Sequence, residues 1–126
     1  MGKVLSTKNL EHATLEFYNN YVIAIVKEDV VVGRTEVNSY IKACTNFFCG
    51  TTFVYISLRK NAYNVNPVIY SGEMRKLKNL AGMAIVCHQP SKINTAKYER
   101  NFVNFPYEIF TSLDDALEWS AELTKE

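Results

Sequence analysis

The chain has 126 residues, 48% of them hydrophobic and 21% charged, with a formal net charge of +1. Those totals describe one globular domain with enough apolar residues for its own core. They exclude a dedicated nucleic-acid binder, which would be strongly basic, and no apolar run approaches the ~20 residues of a membrane span. The opening MGKVLSTKNLEH lacks a signal-peptide core, so a cytoplasmic location is expected. The three cysteines, Cys44, Cys49 and Cys87, have no regular spacing and are read as free thiols of a reducing compartment. The two histidines, His12 and His88, fall in no metal-ligand pattern, so no metal and no cofactor is expected.

Residues 1–12 read as a flexible N-terminal segment within this single domain; the alternative is that Val4–Leu10 folds back over the sheet. Ala13–Tyr18 and Tyr21–Lys27 are β-rich runs separated by Asn19-Asn20, a pair that tolerates positive φ and signals a hairpin. In the first run Leu15 and Phe17 face one way, Thr14 and Glu16 the other. Glu28–Gly33 reads as a loop with a short extended piece. Thr35 is the expected N-cap of a helix over Glu36–Phe48, where Val37, Tyr40, Ile41, Cys44, Phe47 and Phe48 make one apolar stripe. Gly50 supplies the positive φ that ends it.

Thr51–Leu58, TTFVYISL, is apolar, β-branched or aromatic almost throughout and has neither Gly nor Pro. It is the expected central strand. Pro67 opens the next helix, whose stripe of Tyr70, Met74, Leu77 and Ala81 ends at Gly82 as C-cap. Met83–Cys87 is another buried strand. Ser91 is the expected cap of a helix reaching about Asn104, and Pro106 stops it. Tyr107–Thr111 is the last strand. Ser112 caps the last helix, which buries Leu113, Ala116, Leu117, Ser120 and Leu123. The order ββαβαβαβα implies an α/β domain with a mixed five-stranded sheet, parallel except for the opening hairpin.

This order, together with the ending PYEIFTSLDDALEWSAEL over Pro106–Leu123, resembles the STAS superfamily of SpoIIAA-like, anti-sigma-factor antagonist-like proteins. Phe110, Thr111, Asp115, Ala116, Leu117 and Trp119 carry the likeness, and GMAIVCHQPSK adds to it. The resemblance implies a right-handed superhelix of βα turns with helices mainly on one face of the sheet. It also implies a non-catalytic protein-interaction or regulatory module rather than an enzyme, with a protein regulator as partner; the alternative is a binder or sensor of a small or lipid-like ligand. Classical members are switched by phosphorylation of a serine in the turn after the central strand. Here that turn, Leu58–Pro67, has no Asp, Ser, Thr or Gly, so the switch does not carry over.

Open α/β sheets place ligands at the carboxyl ends of parallel strands. Arg59, Lys60, Asn61, Asn64, His88 and Gln89 are therefore the candidate binding residues, against an ordinary solvated loop. Cys87 and His88 are strand neighbours facing opposite ways and make no catalytic dyad. Arg75, Lys76 and Lys78 read as a solvated helix face. Both faces of the central strands are apolar, and with helices on one face only, the other needs a cover. A homodimer joined through Phe53 and Tyr55 is the resulting expectation.

Overall fold

The computed structural model describes residues 2–125. Its main sheet has six strands in the order β1-β2-β3-β5-β7-β8: β1 (Ser6–Asn9), β2 (Ala13–Phe17), β3 (Tyr21–Val26), β5 (Phe53–Leu58), β7 (Leu80–Val86) and β8 (Tyr107–Phe110). The pairs β1–β2 and β2–β3 are antiparallel; β3–β5, β5–β7 and β7–β8 are parallel. Two short strands, β4 (Val31–Val32) and β6 (Asn64–Val65), pair in parallel beside this sheet. The helices are α1 (Arg34–Phe48), α2 (Val68–Ser71), α3 (Pro90–Glu99) and α4 (Leu113–Leu123).

The sixth strand comes from the N-terminal segment. Ser6–Asn9 folds back against β2, with Leu10 N donating to Ala13 O across the turn. Its four residues are exposed and polar, which suits a sheet edge that has to stay soluble.

Helix α1 starts two residues early. Gly33 is its N-cap, and Glu36 Oε1 accepts from the Gly33 N–H at 2.8 Å. At the other end Cys49 (φ 47°) and Gly50 (φ 96°) both take the left-handed conformation. Helix α2 is far shorter than its apolar stripe suggests. It stops at Gly72 (φ −102°, ψ −98°), and a 3₁₀ turn over Glu73–Lys76 keeps Met74 buried. Leu80 and Ala81 belong to β7, where Leu80 pairs with Phe53. Glycine is a poor helix residue, so the sheet ladder wins this stretch. Gly82 is consequently no cap. It lies inside β7 because α4 and the chain at Pro106 press on it: a Cβ there would sit 2.9 Å from Leu123 Cδ1, 3.0 Å from Pro106 O and 3.0 Å from Trp119 Cη2.

Helix α3 begins at Pro90 with Gln89 as N-cap, two residues ahead of the expected cap Ser91, because proline is already set for the first helical residue. It gives way to a 3₁₀ turn over Arg100–Phe102. Ser112 caps α4, its Oγ accepting from Asp115 N at 3.4 Å.

Side-chain alternation divides the core in two. Leu15, Phe17, Val22, Ala24, Phe53, Tyr55, Met83 and Ile85 face the layer of α1, α2 and α3. Ile23, Val54, Ile56, Ala84 and Val86 face α4, with Ala116, Leu117, Trp119 and Leu123 packed over them. Phe53 stacks on Phe48 of α1 at 4.1 Å between ring centroids. Phe53 and Tyr55 are 2% and 6% exposed within a single protomer. They are core residues beneath α1, not a dimer face. The second sheet face is the α4 face, so the cover that a dimer would supply over the central strands is already built into the chain.

Candidate functional site

Strands β5 and β7 end side by side, and the segment after β5 runs against the segment after β3. Arg59 N donates to Val86 O, which carries the ladder one residue past β5. The Arg59 side chain therefore points, like Tyr55 and Ser57, into the helix layer and is 8% exposed. It meets Glu99 at the last turn of α3: Nη1 bonds Oε2 at 2.8 Å and Nη2 bonds Oε1 at 2.7 Å. Tyr70 of α2 donates its hydroxyl to Glu99 Oε1 at 2.5 Å. Arg59 Nε donates to Ser57 Oγ at 3.2 Å. Burial alone would lower the Arg59 pKa, but the hydrogen bond to Glu99, together with Tyr63 and Tyr70 beside it, more than offsets this and holds the guanidinium charged. Burial pushes Tyr70 well above the usual phenol range, Glu99 adding to the rise and Arg59 opposing it. One closed network thus ties together β5, α2 and α3.

Above it lies a polar cleft of about 380 Å³, lined by Asn61, Tyr63 and Asn64 from the loop, Gln89, Ser91, Lys92 and Thr95 from the start of α3, together with Asp29, Ala62 and Arg59. The loop is well anchored. Asn61 Nδ2 donates to Val26 O at 2.9 Å, Asp29 N to Ala62 O at 2.8 Å, and Asn64 N to Val30 O at 3.0 Å. Lys92 Nζ reaches Arg59 O at 3.5 Å.

Of the residues expected from sequence, Arg59, Asn61, Asn64 and Gln89 come together on this cleft. Lys60 and His88 are exposed and do not line it. Cys87 is fully buried in the helix-layer core while the next residue, His88, is exposed, so the two part as strand alternation requires. Arg59 is present in a different role: both guanidinium arms are held by Glu99, so it forms the floor of the cleft. Glu99, Tyr63 and Lys92 were not among the expected site residues. Glu99 gives no local signal because a glutamate in a helix is ordinarily a surface residue. Lys92 could have been found from the strand-end rule, being two residues beyond Pro90 at the opening of α3.

Among the described residues no group of three or more His, Cys, Asp and Glu could hold a metal ion, and no helix is long and apolar enough to cross a membrane. Ser57 is 4% exposed, with its Oγ 3.1 Å from the Tyr63 hydroxyl.

No protein-family model matches the chain, and no curated protein matches it. Among solved structures, it is similar to an uncharacterized protein of the DUF3478 family with a SpoIIAA-like fold from Shewanella loihica PV-4. The TM-score is 0.52 at 11% identity, over 95% of this chain and 98% of the other. At that identity the likeness speaks to fold alone. The chain is an α/β domain with a SpoIIAA-like fold.

Proposed function

We propose that the protein is a non-catalytic recognition module that binds a protein partner through the cleft at the carboxyl ends of β5 and β7. The observation that carries this reading is the cleft itself, about 380 Å³ of mostly polar space above a floor whose charged groups are already paired. A floor locked in this way offers a rigid surface rather than a free acid, base or nucleophile. The open groups around it are amides, hydroxyls, the Asp29 carboxylate and the Lys92 ammonium, which suit a polar segment of a partner. The SpoIIAA-like fold supports a regulatory or interaction role in general terms.

The partner is not controlled through a phosphorylated turn in this reading. Leu58–Pro67 carries no acceptor of the family type, and Ser57 beside it is enclosed. Homodimerisation through the central strands has lost its motive now that α4 covers the second face.

The test uses immobilised full-length protein, wild type against Lys92→Glu and Asn61→Ala, with proteins of the source cell offered as ligands. Capture of a defined partner by wild type and its loss by Lys92→Glu is the expected result. A partner retained equally by both cleft variants refutes this location.

A further inference from the structure

Tyr63 stands between two spaces. Outside it is the polar cleft; inside is a chamber of about 20 Å³, walled by Val37, Tyr40, Tyr55, Ile69, Tyr70 and Met83. Tyr63 and Arg59 border both. The Tyr63 ring lies over the Arg59 guanidinium, 5.7 Å from Cζ to the ring centroid, and its hydroxyl is 3.1 Å from Ser57 Oγ. We propose that the space filled by the Tyr63 side chain is a binding site for a small hydroxylated aromatic molecule, and that Tyr63 is its built-in occupant.

Three features support the proposal. First, the socket does not depend on Tyr63. Ser57 Oγ is also held by Arg59 Nε, and Arg59 is clamped by Glu99. When the ring swings out, a hydrogen-bonding hydroxyl and a cationic face stay in place, and these two groups in this arrangement recognise a ring bearing a hydroxyl. Second, the ring can leave while the loop stays. Ala62 O, Asn61 Nδ2 and Asn64 N are bonded to the segment Val26–Val30 on either side of Tyr63. The side chain is only partly buried: its polar contacts are Ser57 and Arg59, its ring rests on the edge of the helix-layer core, and the cleft gives it room to turn into. Third, the inner wall offers a further polar group. The Tyr55 hydroxyl takes part in none of the side-chain hydrogen bonds among the described residues, while every fully enclosed polar side-chain atom there has a partner. That hydroxyl therefore keeps access to the chamber. The charge of Arg59 is already matched by Glu99, so the socket suits a neutral ring rather than a free anion.

The site differs from the partner surface in its critical residues, so the test stands whether or not Lys92→Glu affects a partner. Full-length protein is titrated with p-cresol, toluene and 4-methylcyclohexanol by calorimetry, with the Met83 methyl resonance as a local reporter. Wild type should bind p-cresol with a shift of that methyl, and should bind toluene and 4-methylcyclohexanol more weakly. Tyr63→Ala removes the competing occupant and should bind p-cresol about tenfold more tightly, the scale of one hydrogen bond and one cation–π contact. Ser57→Ala removes the Tyr63 tether together with the ligand's hydrogen bond, so p-cresol should lose its advantage over toluene. If Tyr63→Ala does not fold, Tyr63→Phe loses only the hydroxyl tether and should shift affinity the same way by less. The proposal is overturned if wild type does not bind p-cresol up to its solubility, if either comparator binds as well, or if removing the Tyr63 contacts brings no gain.

Discussion

Arg59 and Glu99 are 40 residues apart in the chain and meet through two parallel hydrogen bonds of 2.8 and 2.7 Å, both side chains almost fully enclosed. The pair joins the end of the central strand to the end of α3 and forms the floor of the cleft. Fork-to-fork geometry of this kind fixes orientation as well as position.

Glu99→Gln should therefore destabilise the domain by about 3–5 kcal/mol, because it leaves the Arg59 charge buried without its counter-charge. The double change Arg59→Met with Glu99→Leu should recover part of that loss, since an apolar pair of similar size has no charge to desolvate but leaves the Tyr70 hydroxyl without its acceptor. Urea unfolding of the three proteins measures both. A single variant close to wild type would mean that the pair contributes no more than a surface bridge.

Gly82→Ala tests the seating of α4. The added methyl meets the Pro106 carbonyl and the ends of Leu123 and Trp119 at about van der Waals overlap. A carbonyl of the main chain cannot rotate away, so the chain at Pro106 has to give, and α4 shifts with the ends of Leu123 and Trp119, at a cost of about 1–3 kcal/mol. Trp119 belongs to the helix that would move, so its fluorescence should change along with the unfolding midpoint. Unchanged emission and stability would show that α4 rides higher on the sheet.

Ile56 is fully buried in the centre of the α4 face. Ile56→Ala should cost about 2–5 kcal/mol through lost contacts and the cavity left behind. By contrast Tyr55→Glu, on the other face, should unfold the protomer, because it buries a carboxylate beneath α1. Circular dichroism distinguishes this from a folded protein that has merely changed its association state.

Alkaline pH should unfold the protein early. Burial raises the pKa of Tyr40, Tyr55, Tyr70 and Tyr107 above the ordinary phenol value of 10.0, and pushes the Cys44 thiol from 9.0 up to about 12. In the unfolded chain these groups lose their protons near pH 9 to 10, while the folded protein keeps them. The unfolded state then binds fewer protons, so stability falls as pH rises. The stabilisation is complete below pH 9 and declines progressively above it. Denaturation midpoints between pH 8 and pH 11 should show the decline, and Tyr40→Phe should flatten it.

Local chemistry accounts for what was legible beforehand. The run Phe53–Leu58 has the residue types of a central strand, and both of its faces are apolar because both are covered. Ser112 and Asp115 mark the start of α4, and Asn19-Asn20 the hairpin, since caps and tight turns are settled by a few adjacent residues. The strand-end rule also brought Asn61, Asn64 and Gln89 to the cleft.

Long-range geometry decided the rest. Ser6–Asn9 has no strand composition and is a strand because β2 offered an unpaired edge. Ala81 fits a helical stripe and a strand equally well, and pairing of β7 with β5 chose the strand. The seating of α1 made Phe53 and Tyr55 core rather than a surface needing a partner, and α4 covered Val54 and Ile56 on the opposite face. Arg59 read as a free cation because it opens the polar string Arg59-Lys60-Asn61 at the end of the central strand. Only the folded chain brings Glu99 and Tyr70 to it, since a buried charge is defined by what surrounds it in space, and those surroundings come from segments that local sequence does not connect.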